Sequence, residues 1–162
     1  GYLPLGGVMV GDRVSDVLID KGGEFYHGFT YSGHPASCAV AIETVRIMQR
    51  ENLVERVRDD IGPYLQKKWA GLGEHPLVGE TRMVGLMGAL ELVKDKASLE
   101  RFDEDDGVGT ICRDFLVNNG LVMRAVGDTI VTAPPLTMTR DQVDEQVAKA
   151  WKCLDLTHKA VS

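Results

Sequence analysis

The chain has 162 residues, enough for one domain or for a large part of a bigger protein. Hydrophobic residues make up 44% and charged residues 26%, an ordinary globular composition that excludes a disordered or fibrous chain. The formal net charge is −6, from 18 basic and 24 acidic residues. The chain therefore has no excess of positive charge that could bind a phosphate backbone, and no nucleic-acid partner is expected.

The opening run, GYLPLGGVMV, ends in three consecutive apolar residues, Val8 to Val10, which are bounded by glycine on both sides. A short apolar run of this kind predicts a fully buried strand of an α/β sheet. Because the ends of domains are normally polar and exposed, we expect the chain to begin inside a domain and to be a fragment of a larger one.

The next segment predicts two helices separated by an ordered loop. Asp12 is placed to cap a helix over residues 13–20. Residues 24–33, EFYHGFTYSG, are aromatic and punctuated by glycine, without a helical period. Pro35 then begins a helix that continues to about Arg50, since proline suits the first turn.

The remainder alternates between helical and extended patterns. A helix over about residues 54–69 is expected to be kinked or restarted at Gly62-Pro63. The later predictions are two strands joined at Gly85, a charged connection, a helix, a hairpin and a last helix opened by a capping box at Thr139. The two strands span residues 78–84 and 86–93, and the charged connection spans residues 94–106. The helix covers residues 107–118, the hairpin pairs residues 121–124 with 129–132, and the last helix follows residue 139.

The three cysteines are odd in number and far apart, at Cys38, Cys112 and Cys153. They form neither a disulfide framework nor a metal half-site, and they predict buried thiols in a reducing compartment. His27 and His34 lie in the aromatic loop without a ligand at metal-binding spacing, so no metal is expected. No apolar run approaches the ~20 residues that span a bilayer, and the chain is predicted to be cytoplasmic, without a membrane partner.

Two residues could contact a charged ligand, and each has an ordinary alternative. Thr30 precedes a predicted helix in a glycine-flanked loop, where a hydroxyl and free N–H groups suit an anion. The local pattern alone favours a plain threonine at the start of a helix. Arg124 ends the apolar run Leu121-Val122-Met123 and could offer a fixed fork to a carboxylate. Spacing alone favours a structural pair with Asp128 or with a surface acid.

Three strings, GYLPLGGVMV, GEFYHGFTYSGHPASCAVAIETVRIM and LVMRAVGDTIVTAPPLTMTRDQVDE, occur in this order along nearly the whole chain. Together they resemble the C-terminal part of the class III aminotransferases, which are pyridoxal-phosphate (PLP) enzymes of fold type I. The pattern is most similar to the amine:pyruvate, or omega, group, which includes putrescine–pyruvate and β-alanine–pyruvate aminotransferases.

The resemblance implies an α/β fold made of the end of a large PLP-binding domain, residues 1–47, and a small C-terminal α+β domain, residues 48–162. It also implies that the lysine that forms the Schiff base with PLP lies upstream of Gly1. No lysine present, including Lys21, stands at the matching place. On this basis the chain itself contributes no catalytic residue, and it is expected to be inactive without the missing part.

Carried over residue by residue, the resemblance implies that Thr30, with Phe29 beside it, holds the PLP phosphate of the neighbouring subunit of a homodimer. Arg124 matches the mobile arginine that pairs with the carboxylate of pyruvate or of an amino-acid substrate. It would move aside when an uncharged or amine-bearing tail occupies the pocket.

The implied activity is a ping-pong transfer of an amino group from an amine or omega-amino acid to pyruvate. Two alternatives stay open. One is another class III aminotransferase that acts on a diamino acid, on an ornithine-like compound or in biotin synthesis. The other is a non-catalytic α/β interaction module, which the apolar opening run disfavours.

Overall fold

A computed structural model of the chain describes residues 2–162, so Gly1, the first residue of the opening run, lies outside the described part. The chain divides into two compact units, one that ends at Glu51 and one that comprises Asn52–Ser162. Of the helices described, none is both long and apolar enough to cross a membrane.

The prediction of a buried strand at Val8–Val10 is wrong. The described residues up to Glu51 contain no strand, and Val8 and Met9 are 91% and 100% exposed. An extended segment becomes a strand only when a neighbour accepts and donates its backbone hydrogen bonds. No such neighbour lies among the described residues of this unit, so the apolar run is unpaired.

The first unit contains helices α1, Asp12–Lys21, and α2, Pro35–Arg50. The N-cap of α1 is Gly11 rather than the predicted Asp12, which instead lies in the first turn. A carboxylate there still interacts favourably with the helix dipole. Helix α2 begins and ends at the predicted residues.

The first helical region of the second unit is continuous but irregular. Helix α3, Leu53–Arg56, passes through a π-helical turn, Val57–Ile61, into helix α4, Gly62–Gly71. The predicted irregularity at Gly62-Pro63 is therefore present as a π turn directly before that pair. A Cβ at position 62 would collide with the carbonyl oxygen of Val57, so glycine is required at this junction.

The sheet of the second unit is antiparallel, with its four strands in the order β1-β2-β4-β3. Gly85, at a φ of +59°, and Leu86 join β1 to β2 in a two-residue turn. The prediction joins the two strands at Gly85 alone and begins the second at Leu86. The second hairpin differs from the prediction, because its first strand begins at Arg124 instead of ending there. The strands are β1, Val78–Val84; β2, Met87–Leu92; β3, Arg124–Val126; and β4, Thr129–Thr132.

Helices α5, Val108–Asn118, and α6, Arg140–Val161, contribute to the same core as the inner face of the sheet. The predicted capping box of α6 is present, with the Thr139 hydroxyl and the Gln142 side chain satisfying each other's backbone N–H groups. The main core consists of buried residues from α4 to α6 and the strands, among them Trp69, Leu72, Leu90, Leu92, Leu116, Ile130, Cys153 and Leu154. This packing leaves the opposite face of the sheet to carry polar side chains.

The cysteines are not all buried as predicted. Cys112 and Cys153 are buried, whereas Cys38 is half-buried. Burial raises the pKa of the Cys112 thiol to about 11, so this thiol stays protonated near neutral pH.

Candidate functional site

Thr30 lies in a turn directly before α2. The carbonyl oxygen of Phe29 accepts a hydrogen bond from the Ser32 N–H at 2.9 Å, and the Phe29 N–H donates to the Ser32 hydroxyl at 3.0 Å. These two bonds close a four-residue turn in which Thr30 occupies the second position. The backbone around Thr30 is thus fixed by its neighbours, with no contribution from its own side chain.

The polar groups of Thr30 are unpartnered in the part of the chain that the structure describes. Among residues 2–162, neither its hydroxyl nor its backbone N–H takes part in a hydrogen bond, and the residue is exposed. Phe29, beside it, is 77% exposed. An exposed hydroxyl and N–H without acceptors are suited to an anion such as a phosphate, and the turn holds them in place.

The two histidines of this loop have structural contacts. His34 is the N-cap of α2, and its Nδ1 accepts the Ser37 N–H at 3.3 Å. His27 packs edge-on against Phe29, with ring centroids 5.5 Å apart. In the part of the chain described, no group of three or more His, Cys, Asp or Glu side chains could hold a metal ion.

Arg124 is the first residue of β3 and lies opposite Val131 of β4. Its side chain is exposed, and no ion pair joins it to an acid within residues 2–162. The alternative pairing with Asp128 is not formed. Asp128 Oδ1 instead accepts the backbone N–H of Gly109 at 2.9 Å and so satisfies a free donor in the first turn of α5. The Arg124 guanidinium is therefore available to an external carboxylate.

The strand register places Arg124 in a row of four residues that crosses the sheet on one face. In antiparallel pairs, residues directly opposite each other share a face. Arg124 lies opposite Val131, Val131 opposite Ala89, and Ala89 opposite Arg82. Two arginines therefore stand at the edges of this outer face, with small or apolar side chains between them.

The neighbouring row of the same face holds a compensated carboxylate, Glu91. Its Oε2 accepts hydrogen bonds from Arg82 Nη2 at 3.0 Å and from the Thr129 hydroxyl at 3.1 Å. Its Oε1 lies 3.6 Å from Arg101 Nη2, and the side chain is only 17% exposed. Arg82 also donates to Glu80 Oε2 at 2.8 Å. Hydrogen bonds to Glu91 and then to Glu80 raise the pKa of Arg82 above its ordinary value.

This network around Glu91 was not predicted, although a signal for it is present in the sequence. The two-residue turn at Gly85 fixes the pairing of β1 with β2, which brings Arg82 opposite Ala89 and Glu80 opposite Glu91. Reading Gly85-Leu86 as a two-residue turn would have placed these three charges on one face. The predicted strands, joined at Gly85 alone, give a register shifted by one residue and place Glu91 on the opposite face. The contribution of Arg101 comes from a loop and has no comparable local signal.

The sequence profile of the class-III aminotransferases matches residues 1–154. The chain belongs to this family. Its mixed helix and sheet structure agrees with the predicted fold class, and solved aminotransferases share it. An (S)-enantioselective omega-transaminase from Thermomicrobium roseum superposes with a TM-score of 0.89 at 40% identity, over 97% of this chain and 35% of that one.

The chain is 55% identical over 161 residues to a putrescine–pyruvate aminotransferase of Pseudomonas aeruginosa. The match covers 99% of this chain and 35% of the relative, so the chain spans about a third of the length of that protein. Family membership favours the enzymatic interpretations of the sequence over a non-catalytic interaction module.

Class-III aminotransferases depend on PLP, and a related structure, an aminotransferase mutant from Vibrio fluvialis, is PLP-bound. That structure is 36% identical to this chain, with a TM-score of 0.83 over 93% of this chain and 33% of its own. The residues present here fit one part of the cofactor. The unpartnered hydroxyl and N–H of Thr30 have the donor chemistry that a phosphate dianion requires.

Proposed function

We propose that the whole protein transfers an amino group from an amine such as putrescine to pyruvate, with PLP as its cofactor. The observation that carries this proposal is the 55% identity to the putrescine–pyruvate aminotransferase along 99% of this chain. Bound PLP supplies the electron sink that makes the transfer feasible, and the protein supplies binding and orientation. The proposal places the Schiff-base lysine outside these 162 residues, in the part of the relative's length that the chain does not span.

Within this proposal the chain contributes the end of the large cofactor-binding domain, residues 1–47, and a small C-terminal domain, residues 48–162. The division of the described chain between Glu51 and Asn52 supports a boundary in this region. The first of these domains supplies Thr30 and Phe29, and the second supplies Arg124.

Thr30 donates its hydroxyl and N–H to the PLP phosphate of the neighbouring subunit, with Phe29 beside the group. Two features support this role. Neither donor of Thr30 has a partner among the described residues, and the turn from Phe29 to Ser32 fixes the backbone there without using these donors. Donors that reach across a subunit interface would make homodimer formation a condition of tight PLP binding.

Arg124 binds the carboxylate of pyruvate through its guanidinium fork. Its exposure and its lack of an internal acid within the described residues support this role. A bidentate pair of arginine and carboxylate fixes orientation as well as affinity, which positions the keto group for amination. Putrescine has no carboxylate and would bind without using this fork.

The phosphate role of Thr30 is tested by replacing it with alanine in the whole protein. We expect the dissociation constant for PLP to rise about tenfold, because a hydrogen bond to a charged group is lost while the N–H donor remains. Thr30→Ser should retain most of the affinity. The measurement is a PLP titration followed by absorbance.

A suitable control is Thr44→Ala, which alters a threonine of the same unit whose hydroxyl donates to the Val40 carbonyl at 2.9 Å inside α2. This variant should bind PLP as the unaltered protein does. If Thr30→Ala also retained full PLP affinity, the phosphate role of Thr30 would be wrong.

A further inference from the structure

The outer face of the sheet carries a carboxylate that could compete with a substrate for Arg124. Glu91 lies two strands from Arg124 and one row away. With strands about 4.8 Å apart and about 3.4 Å per residue, their Cα atoms are on the order of 12 Å apart. Extended arginine and glutamate side chains can bridge that distance, so a free Glu91 would be an internal substitute for the carboxylate of pyruvate.

In the structure Glu91 is not free. One oxygen is held by Arg82 and by the Thr129 hydroxyl, and the other faces Arg101. Thr129 lies opposite Glu91 on β4 and diagonal to Arg124, so it occupies the position on the sheet between these two residues. Glu91 is thereby tied to Arg82 on β1, to Thr129 on β4 and to Arg101 in the loop before α5, and its charge is compensated where it stands.

We propose that Arg82 is a positioning residue that holds and neutralises Glu91, and so keeps Arg124 available for the carboxylate of the keto-acid substrate. This inference rests on the proposed role of Arg124. Without Arg82, Glu91 has lost its nearest cation. Its negative charge then attracts Arg124 and also repels an incoming carboxylate, and both effects weaken keto-acid binding.

Loss of Arg82 is expected to change the KM for one substrate and not for the other. A keto acid needs the Arg124 fork, whereas putrescine has no carboxylate to lose. Arg82 therefore acts on the KM for pyruvate and leaves the KM for putrescine unchanged. A merely structural role of Arg82 in the β1–β2 hairpin would lower kcat or stability for both substrates together.

The test uses the whole PLP-loaded protein and three variants, Arg82→Gln, Glu91→Gln and the double substitution. We expect Arg82→Gln to raise the KM for pyruvate about three- to fivefold, the range of a partly exposed ion pair, with kcat unchanged. Glu91→Gln removes the competing charge, so the double variant should return the KM to its original value. Arg113→Gln is the matched control, since Arg113 is held by Asp114 at 2.8 Å on α5, away from this face.

Two outcomes overturn the inference. One is an unchanged KM for pyruvate in Arg82→Gln, measured alongside an Arg124→Ala variant whose KM is raised. The other is a raised KM in Arg82→Gln that the second substitution at Glu91 does not restore. If Arg124→Ala itself leaves the KM for pyruvate unchanged, the proposed role of Arg124 fails, and that failure is distinguishable from the first two.

Discussion

Replacing Arg124 with alanine is expected to raise the KM for pyruvate roughly 10- to 100-fold, because hydrogen bonds to charged groups contribute about 1.5–3 kcal/mol. The guanidinium is exposed and has no acid partner among residues 2–162, so the substitution breaks no ion pair of the described fold. Steady-state kinetics with pyruvate varied at saturating putrescine measure the effect. The KM for putrescine should not change.

Two further variants give this prediction its controls. Arg124→Lys keeps the charge but loses the planar fork, so its KM for pyruvate should lie between those of the alanine variant and the unaltered protein. Arg113→Ala removes an arginine of α5 that is paired with Asp114, and it should leave both KM values unchanged. Equal KM values for pyruvate in Arg124→Ala and in the unaltered protein would contradict the proposed role of Arg124 in binding the carboxylate of pyruvate.

The second large effect is expected from Gly109→Ala, which should lower the free energy of unfolding by about 2–3 kcal/mol, the upper range for overpacking. The new Cβ would collide with the carbonyl oxygen of Gly127, where α5 passes closely over the β3–β4 turn. The obstructing atoms of Gly127 and Asp128 all belong to the backbone, so a rotamer change cannot relieve the clash. The Gly109 N–H also donates to Asp128, and a shift of the turn would break that bond.

Urea denaturation followed by tryptophan fluorescence measures this loss. Gly71→Ala is the matched control, because Gly71 is the last residue of α4, has a helical φ of −61° and has open space around its missing Cβ. Alanine there should stabilise the protein by about 0.5 kcal/mol, through the unfolded state. A Gly109→Ala variant as stable as the Gly71→Ala variant would contradict the close approach of α5 to the turn.

The elements that could be predicted from the sequence are those whose limits depend on local chemistry. Pro35 and its preceding cap define the start of α2, and Gly85 at positive φ defines the β1–β2 turn. The capping box at Thr139 likewise depends on residues within one turn. In each case the decisive interaction joins residues at most three positions apart.

The errors concern strands, whose existence depends on distant partners. The apolar run Val8–Val10 has the composition of a buried strand, but it pairs with no other described residue of its unit. The run before Arg124 was predicted as a strand, yet β4 pairs with residues 124–126 instead. Its central residue, Val122, is 87% exposed. Apolar composition alone could not distinguish pairing from mere extension.

The candidate site was predictable only in part, and for a related reason. Thr30 and Arg124 were found through the strings that resemble the family, whereas local spacing favoured structural roles for both. The structure removes one of those alternatives, since Asp128 binds Gly109 and leaves Arg124 unpaired within the described residues. Glu91 and its arginines needed the register of three strands, which no single segment of sequence specifies.

The most direct test of the central claim is spectroscopic and uses the whole PLP-loaded protein. Addition of putrescine without a keto acid should abolish the visible absorption of the bound cofactor, and pyruvate should then restore it. Ornithine at the same concentration should have a much smaller effect. If putrescine left the absorption unchanged, or if ornithine abolished it more effectively, the assignment to an amine:pyruvate transaminase would be contradicted.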